Sequence, residues 1–168
     1  MRTGQGQGQH IEGTITSTGD IKVTKQETSF NTCPICLTRG TLIDTPDGPV
    51  PVEQLRPGMP VWTADEAGNR ISGTVAAIGS TPIPASFQVI KMALADGRTV
   101  TASPGHPAAD GRPLSDYLTG EVLDGSVVIT MEYVAYDGGA TYDLLPSGVT
   151  GLYWANGILL RSTLFQSK

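Results

Sequence analysis

Cysteine is scarce in this chain, with two in 168 residues, Cys33 and Cys36. A small secreted scaffold stapled by disulfides needs more, and one pair does not fix the redox compartment. Aromatic residues make up 6% and charged residues 16%. Lys and Arg number 11 against 16 Asp and Glu, for a net charge of −5, and the cations are scattered. Without a basic stripe, nucleic-acid binding is not expected. No run approaches the ~18 apolar residues of a membrane span, so none is expected here. The opening MRTGQGQGQH has no apolar core and does not read as a signal peptide. Sustained 3.6-residue periodicity is also absent, which argues against a helical fold.

What the chain does have is 21 Gly, 12 Pro and many short apolar runs between them. That combination predicts an all-β fold rich in turns. The length predicts one domain with short additions, and a chain of this size buries roughly 70% of its unfolded surface. Strands are expected at 41–44, 50–52, 60–63, 70–80, 87–94, 99–102, 126–136, 141–144, 153–155 and 158–160. Turn pairs such as Asp47-Gly48, Pro57-Gly58, Gly68-Asn69, Asp96-Gly97 and Asp110-Gly111 separate them. Leu114 to Leu118 is expected to form a helical turn. The first ten residues, rich in Gly and Gln, are expected to be flexible. Residues 12–24 alternate around Thr18-Gly19-Asp20 and read as a β-hairpin.

Three segments carry most of the functional information. The first is CLTRGTLIDTPDGPVPVEQLRPGMPVWT, Cys36 to Thr63. The second is DGRTVTASPGHPAADG, Asp96 to Gly111. The third is TYDLLPSGVTGLYWANGILL, Thr141 to Leu160. In this order they resemble the motifs of the Hint domain, the self-processing module of hedgehog proteins, inteins and bacterial intein-like proteins. The resemblance implies a flattened horseshoe of short strands, with two subdomains related by a pseudo-two-fold axis. It divides the chain into an N-terminal flank at 1–32, the Hint domain at 33–165 and a tail at 166–168. The flank is equally readable as the first hairpin of a single domain.

The resemblance also assigns chemistry. Cys36 would attack the carbonyl of Ile35 and move the upstream acyl group from nitrogen to sulfur. A thiolate is a good nucleophile, although an ordinary thiol is only a few per cent ionised near neutral pH. His106 would protonate the leaving amide nitrogen, work that suits an imidazole. Ser103, where many relatives carry Thr, would hydrogen-bond the scissile amide or the oxyanion. Asp143 matches an acidic position and would steer protons or orient Cys36. Each has a plainer reading: a buried thiol, a loop histidine, a Ser-Pro turn opener and a strand-end carboxylate.

A splicing intein ends in His-Asn followed by Cys, Ser or Thr. Here Arg161 stands at the His position and Ser162 at the Asn position, and Gly151 replaces a further His. Serine has no carboxamide to cyclise. The expectation is therefore N-terminal cleavage without splicing. The substrate would be the chain's own N-terminal flank, and water, a small thiol or an amine would resolve the thioester. No cofactor and no metal is expected. The alternative is an inactive Hint-fold module within a larger secreted or toxin-like protein. A secreted or cell-surface bacterial parent fits the resemblance, while the sequence itself names no compartment.

Cys33-Pro34-Ile35-Cys36 is also a CxxC. A redox dithiol of this type expects a helix after the first Cys, and a zinc site needs two more ligands. The residues from Gly40 to Asp44 read as strand, and His10 and His106 are the only histidines. Two roles remain for Cys33: masking the nucleophile in a Cys33–Cys36 disulfide, or taking the thioester by exchange.

Overall fold

The computed structural model describes residues 8–15, 21–29, 36–84 and 86–164. Two compact units divide the chain, Met1–Cys33 and Pro34–Lys168. In the first unit, β1 (Gly8–Ile15) pairs antiparallel with β2 (Ile21–Ser29), with a bulge between Glu12 and Gly13. The strand begins at Gly8, inside the stretch expected to be flexible. Backbone pairing of Gly8 with Ser29 and of His10 with Glu27 is indifferent to the Gly and Gln side chains. The expected turn around Thr18-Gly19-Asp20 lies outside the described residues, as do Cys33, Ile35 and the tail.

Over its described residues, the second unit is an all-β structure of twelve strands. In chain order they are β3 (Leu37–Thr38), β4 (Leu42–Ile43), β5 (Val50–Pro51), β6 (Pro60–Ala64), β7 (Arg70–Pro82) and β8 (Gln88–Leu94). Then follow β9 (Thr99–Ala102), β10 (Val122–Leu123), β11 (Ser126–Ala135), β12 (Ala140–Pro146), β13 (Leu152–Ala155) and β14 (Ile158–Arg161). They run β10-β11-β8-β9-β3-β12-β7-β6-β13-β4-β5, with β14 on β13, and every pairing is antiparallel. The path does not close on itself. The expected helical turn is a short 3-10 turn, Leu114–Asp116, after Pro113.

Alternation explains the long strands. In β8, Ile90, Met92 and Leu94 are buried while Lys91 is exposed. Each such fully buried side chain contributes roughly 1.5–3 kcal/mol. They join one core with Leu37, Ile43, Val61, Val100, Leu144, Tyr153, Ile158 and Leu160. The hairpin from β13 to β14 turns on two residues, Asn156 (φ 49°) and Gly157 (φ 75°). Asn-Gly suits this left-handed turn, whose twist matches that of the strands. The Asn156 side chain then ties the turn to its neighbours, accepting from the Leu42 N–H at 2.9 Å and donating to the Thr99 carbonyl at 3.0 Å.

The two-residue strands β3 and β10 were not expected from sequence. β3 matters most. It lies between β9 and β12, with Leu37 opposite Ala102 on one side and Tyr142 on the other. Carrying both registers back one residue sets Cys36 between Ser103 and Asp143.

Candidate functional site

Cys36 precedes β3 and is 6% exposed. Its backbone is gripped by Ser103 three times. The Cys36 amide N–H donates to Ser103 Oγ at 3.0 Å, and the Ser103 hydroxyl donates to the Cys36 carbonyl at 2.9 Å. The Ser103 N–H donates to the same carbonyl, also at 2.9 Å. Ser103 is itself 2% exposed. This placement follows from β9 pairing with β3 and continuing one residue past Ala102.

His106 sits in the tight turn after β9, its N–H donating to the Ser103 carbonyl at 3.0 Å. The ring is fully buried. The His106 carbonyl accepts from the Leu114 N–H, which fastens the turn to the 3-10 segment. From the other side, the Arg161 N–H donates to the Pro107 carbonyl, and the Arg161 guanidinium donates to the Ala109 carbonyl. The histidine is therefore held by a rigid, internally bonded loop.

Asp143 is fully buried on β12 and accepts four hydrogen bonds. Oδ1 accepts from the Leu144 N–H at 2.8 Å and the Tyr153 hydroxyl at 2.7 Å. Oδ2 accepts from the Thr163 N–H and the Thr163 hydroxyl, each at 2.6 Å. A carboxylate offers about four lone-pair sites, so this one is saturated. Tyr153 completes the link, its hydroxyl lying 3.2 Å from His106 Nε2. The two rings meet edge to face, with centroids 6.4 Å apart.

The four residues expected from sequence, Cys36, Ser103, His106 and Asp143, are thus joined by direct contacts or by one intervening side chain. Sequence reasoning missed Tyr153, Thr141 and Thr163. In the run Leu152–Ala155, Tyr153 alternates like a core aromatic, and nothing in its spacing marks the hydroxyl. Thr163 follows the Arg161-Ser162 pair, and nothing in its spacing marks it as a partner of Asp143.

Electrostatics oppose ionisation of the thiol. Burial, then the Asp143 charge, push Cys36 from an ordinary 9.0 up to about 11. Side-chain hydrogen bonding from Thr141, whose hydroxyl has no other partner among the described residues, and from Thr163 offsets part of this rise. Tyr153 is held neutral well above its ordinary value by burial and by Asp143. Among the described residues, no three His, Cys, Asp or Glu side chains cluster as metal ligands.

Residues 35–109, which contain Cys36, Ser103 and His106, match the family model of the Hint domain. Over those residues the chain is similar to the Hint family, and its fold is of the Hint type. The solved structures it resembles share that fold at low identity. A DnaB intein from Synechocystis sp. PCC 6803 superposes with a TM-score of 0.66 at 18% identity, over 77% of this chain and 99% of that one. The bacterial intein-like domain from Clostridium thermocellum gives 0.65 at 18% identity, over 76% and 98%. The gp41-1 intein gives 0.60 at 21% identity, over 75% and 97%. No curated protein matches the chain by sequence. Asp143, Tyr153 and Thr163 all lie beyond the matched stretch. Among the described residues, no helix is long and apolar enough to cross a membrane.

Proposed function

We propose that this Hint domain cleaves its own chain at the Ile35–Cys36 peptide bond through a thioester. The observation that carries this reading is the grip of Ser103 on Cys36. The nitrogen that would leave is the one whose N–H is bonded to Ser103 Oγ, with His106 anchored three residues further along the same turn. In the reaction, Cys36 Sγ bonds to the Ile35 carbonyl carbon and the bond to the Cys36 nitrogen breaks. The thiol proton passes by way of His106 to the leaving nitrogen. An amide is more stable than a thioester, so the step runs uphill and must be drained forward. Water, a small thiol or an amine then releases residues 1–35.

Splicing is not part of this proposal. At the C-terminal junction Ser162 replaces the residue that would cyclise, and it is 3% exposed and built into the core. Its N–H donates to the Gly151 carbonyl and its hydroxyl accepts from the Leu164 N–H. Arg161 braces the His106 loop instead of serving as an acid.

Mass spectrometry of the intact chain after incubation with dithiothreitol or hydroxylamine tests the reading. Both reagents should speed release of residues 1–35. Cys36→Ala should abolish release, and His106→Ala should slow it by about 10²-fold or more, the lower bound of general acid–base help. Cys33→Ala should leave the chemistry intact. A second reading, an inactive Hint-fold module, is favoured by the proton-retaining thiol. A folded chain that keeps its full mass for days under hydroxylamine selects that reading.

A further inference from the structure

Tyr153 has one hydroxyl proton and two polar neighbours. Asp143 Oδ1 is the nearer, at 2.7 Å, and His106 Nε2 lies at 3.2 Å. An ionised carboxylate can only accept hydrogen bonds, so the phenolic proton belongs on the Asp143 side. The phenolic oxygen then offers a lone pair to His106, and Nε2 must carry a hydrogen to meet it. A buried ring nitrogen facing that oxygen without a hydrogen would set lone pair against lone pair.

The parts are held in place. Tyr153 is fully buried in the middle of β13, opposite Thr63 of β6 and Leu160 of β14. Asp143 has all its acceptor sites occupied by Leu144, Tyr153 and Thr163. The backbone of His106 is bonded to Ser103 and Leu114. Among the described residues, turning Asp143 or Tyr153 away from these partners leaves a buried polar group unpaired.

We propose that Tyr153 is a positioning residue that links Asp143 to His106 and keeps a proton on Nε2 of the imidazole. This deepens the cleavage reading above and rests on it for its functional meaning. When the ring takes up the Cys36 thiol proton, it becomes a cation. Its Nε2–H then points through the phenol toward the Asp143 carboxylate. No proton leaves Nε2 and none is transferred to Asp143. The phenol passes on orientation and charge stabilisation only. Many aromatic side chains would fill this core position, but only one with a hydroxyl makes the link.

Heteronuclear NMR of the imidazole nitrogens in the full chain tests the proposal directly. Protonated and unprotonated ring nitrogens give well-separated shifts above the imidazole titration. The chain has two histidines, so His10→Gln identifies the His106 signals. The expected result is a proton on Nε2 in the wild type and a growing Nδ1–H form in Tyr153→Phe, which keeps the ring and removes only the hydroxyl. A wild-type proton on Nδ1, or unchanged His106 signals in Tyr153→Phe, overturns the proposal. Where Tyr153→Phe does not fold, the wild-type spectrum decides. Hydroxylamine-induced release gives a second readout. An acid–base histidine is worth about 10²–10⁴-fold, so losing its orienting partner in Tyr153→Phe is expected to slow release by about 10-fold or more; an equal rate overturns the proposal. The NMR outcome stands apart from cleavage: it supports the link in a chain that never cleaves, and refutes it in one that does.

Discussion

Raising the pH through the alkaline range should weaken the folded state through Cys36 specifically. In the fold its thiol holds its proton up to about 11, against an ordinary 9.0, because burial and the Asp143 charge disfavour the thiolate. The unfolded chain releases that proton first. The folded pKa is the higher one, so the contribution is fully present below about pH 9 and is lost as pH rises through about 11. Two pH units correspond to about 3 kcal/mol, at ~1.4 kcal/mol each. Urea unfolding of the wild type and of Cys36→Ala, from about pH 7 to about pH 11, measures it. Tyr153 and other groups titrate in both proteins, so the difference between the two isolates Cys36. Up to about pH 11 the stability gap should drift by about 2 kcal/mol in favour of the alanine variant, most of that total. Parallel curves would show that the thiol is not held in its protonated form, and would refute the burial argument. The same figures bear on rate. At neutral pH about one Cys36 in 10⁴ is thiolate, against one in about 10² for an ordinary value of 9.0. Thiol-induced release should therefore climb steadily with pH, with no plateau below about pH 10.

Three further outcomes follow from named contacts. Ser103→Ala strands the buried Cys36 N–H and removes one bond to the Cys36 carbonyl, which keeps the Ser103 N–H; urea unfolding should show a loss of about 2–3 kcal/mol, and no loss would mean the clamp is absent in solution. Asp143→Asn removes the charge that helps raise the thiol, so Cys36 should ionise at lower pH and be alkylated several-fold faster by iodoacetamide at about pH 9; slower alkylation of a folded variant counts against that electrostatic role. Asn156→Ala should cost about 2–3 kcal/mol, from two lost side-chain bonds and a left-handed alanine, whereas Asn156→Gly should cost about 1 kcal/mol less. Equal losses in thermal denaturation would show that strain at φ 49° is not a factor.

The all-β class and most strand positions were legible in the sequence, because period-two alternation and Gly-based turns are local signals. Lys91 between Ile90 and Met92 announces its strand without help from the rest of the chain. Asn156-Gly157 specifies its hairpin through the backbone angles it favours. The ordered motifs also pointed to the Hint fold and to Cys36, Ser103, His106 and Asp143 as residues worth watching. Only the tertiary structure decided how these residues meet. β3 is two residues long and has no local pattern of its own; it exists because β9 and β12, far along the chain, pair on either side of it. That pairing sets Cys36 between Ser103 and Asp143 and buries the thiol beside a carboxylate, which is why its proton is held so tightly. The role of Tyr153 was invisible for the same reason. A hydroxyl on a core aromatic acquires a function only when a carboxylate from β12 and a histidine from the loop after β9 are folded against it.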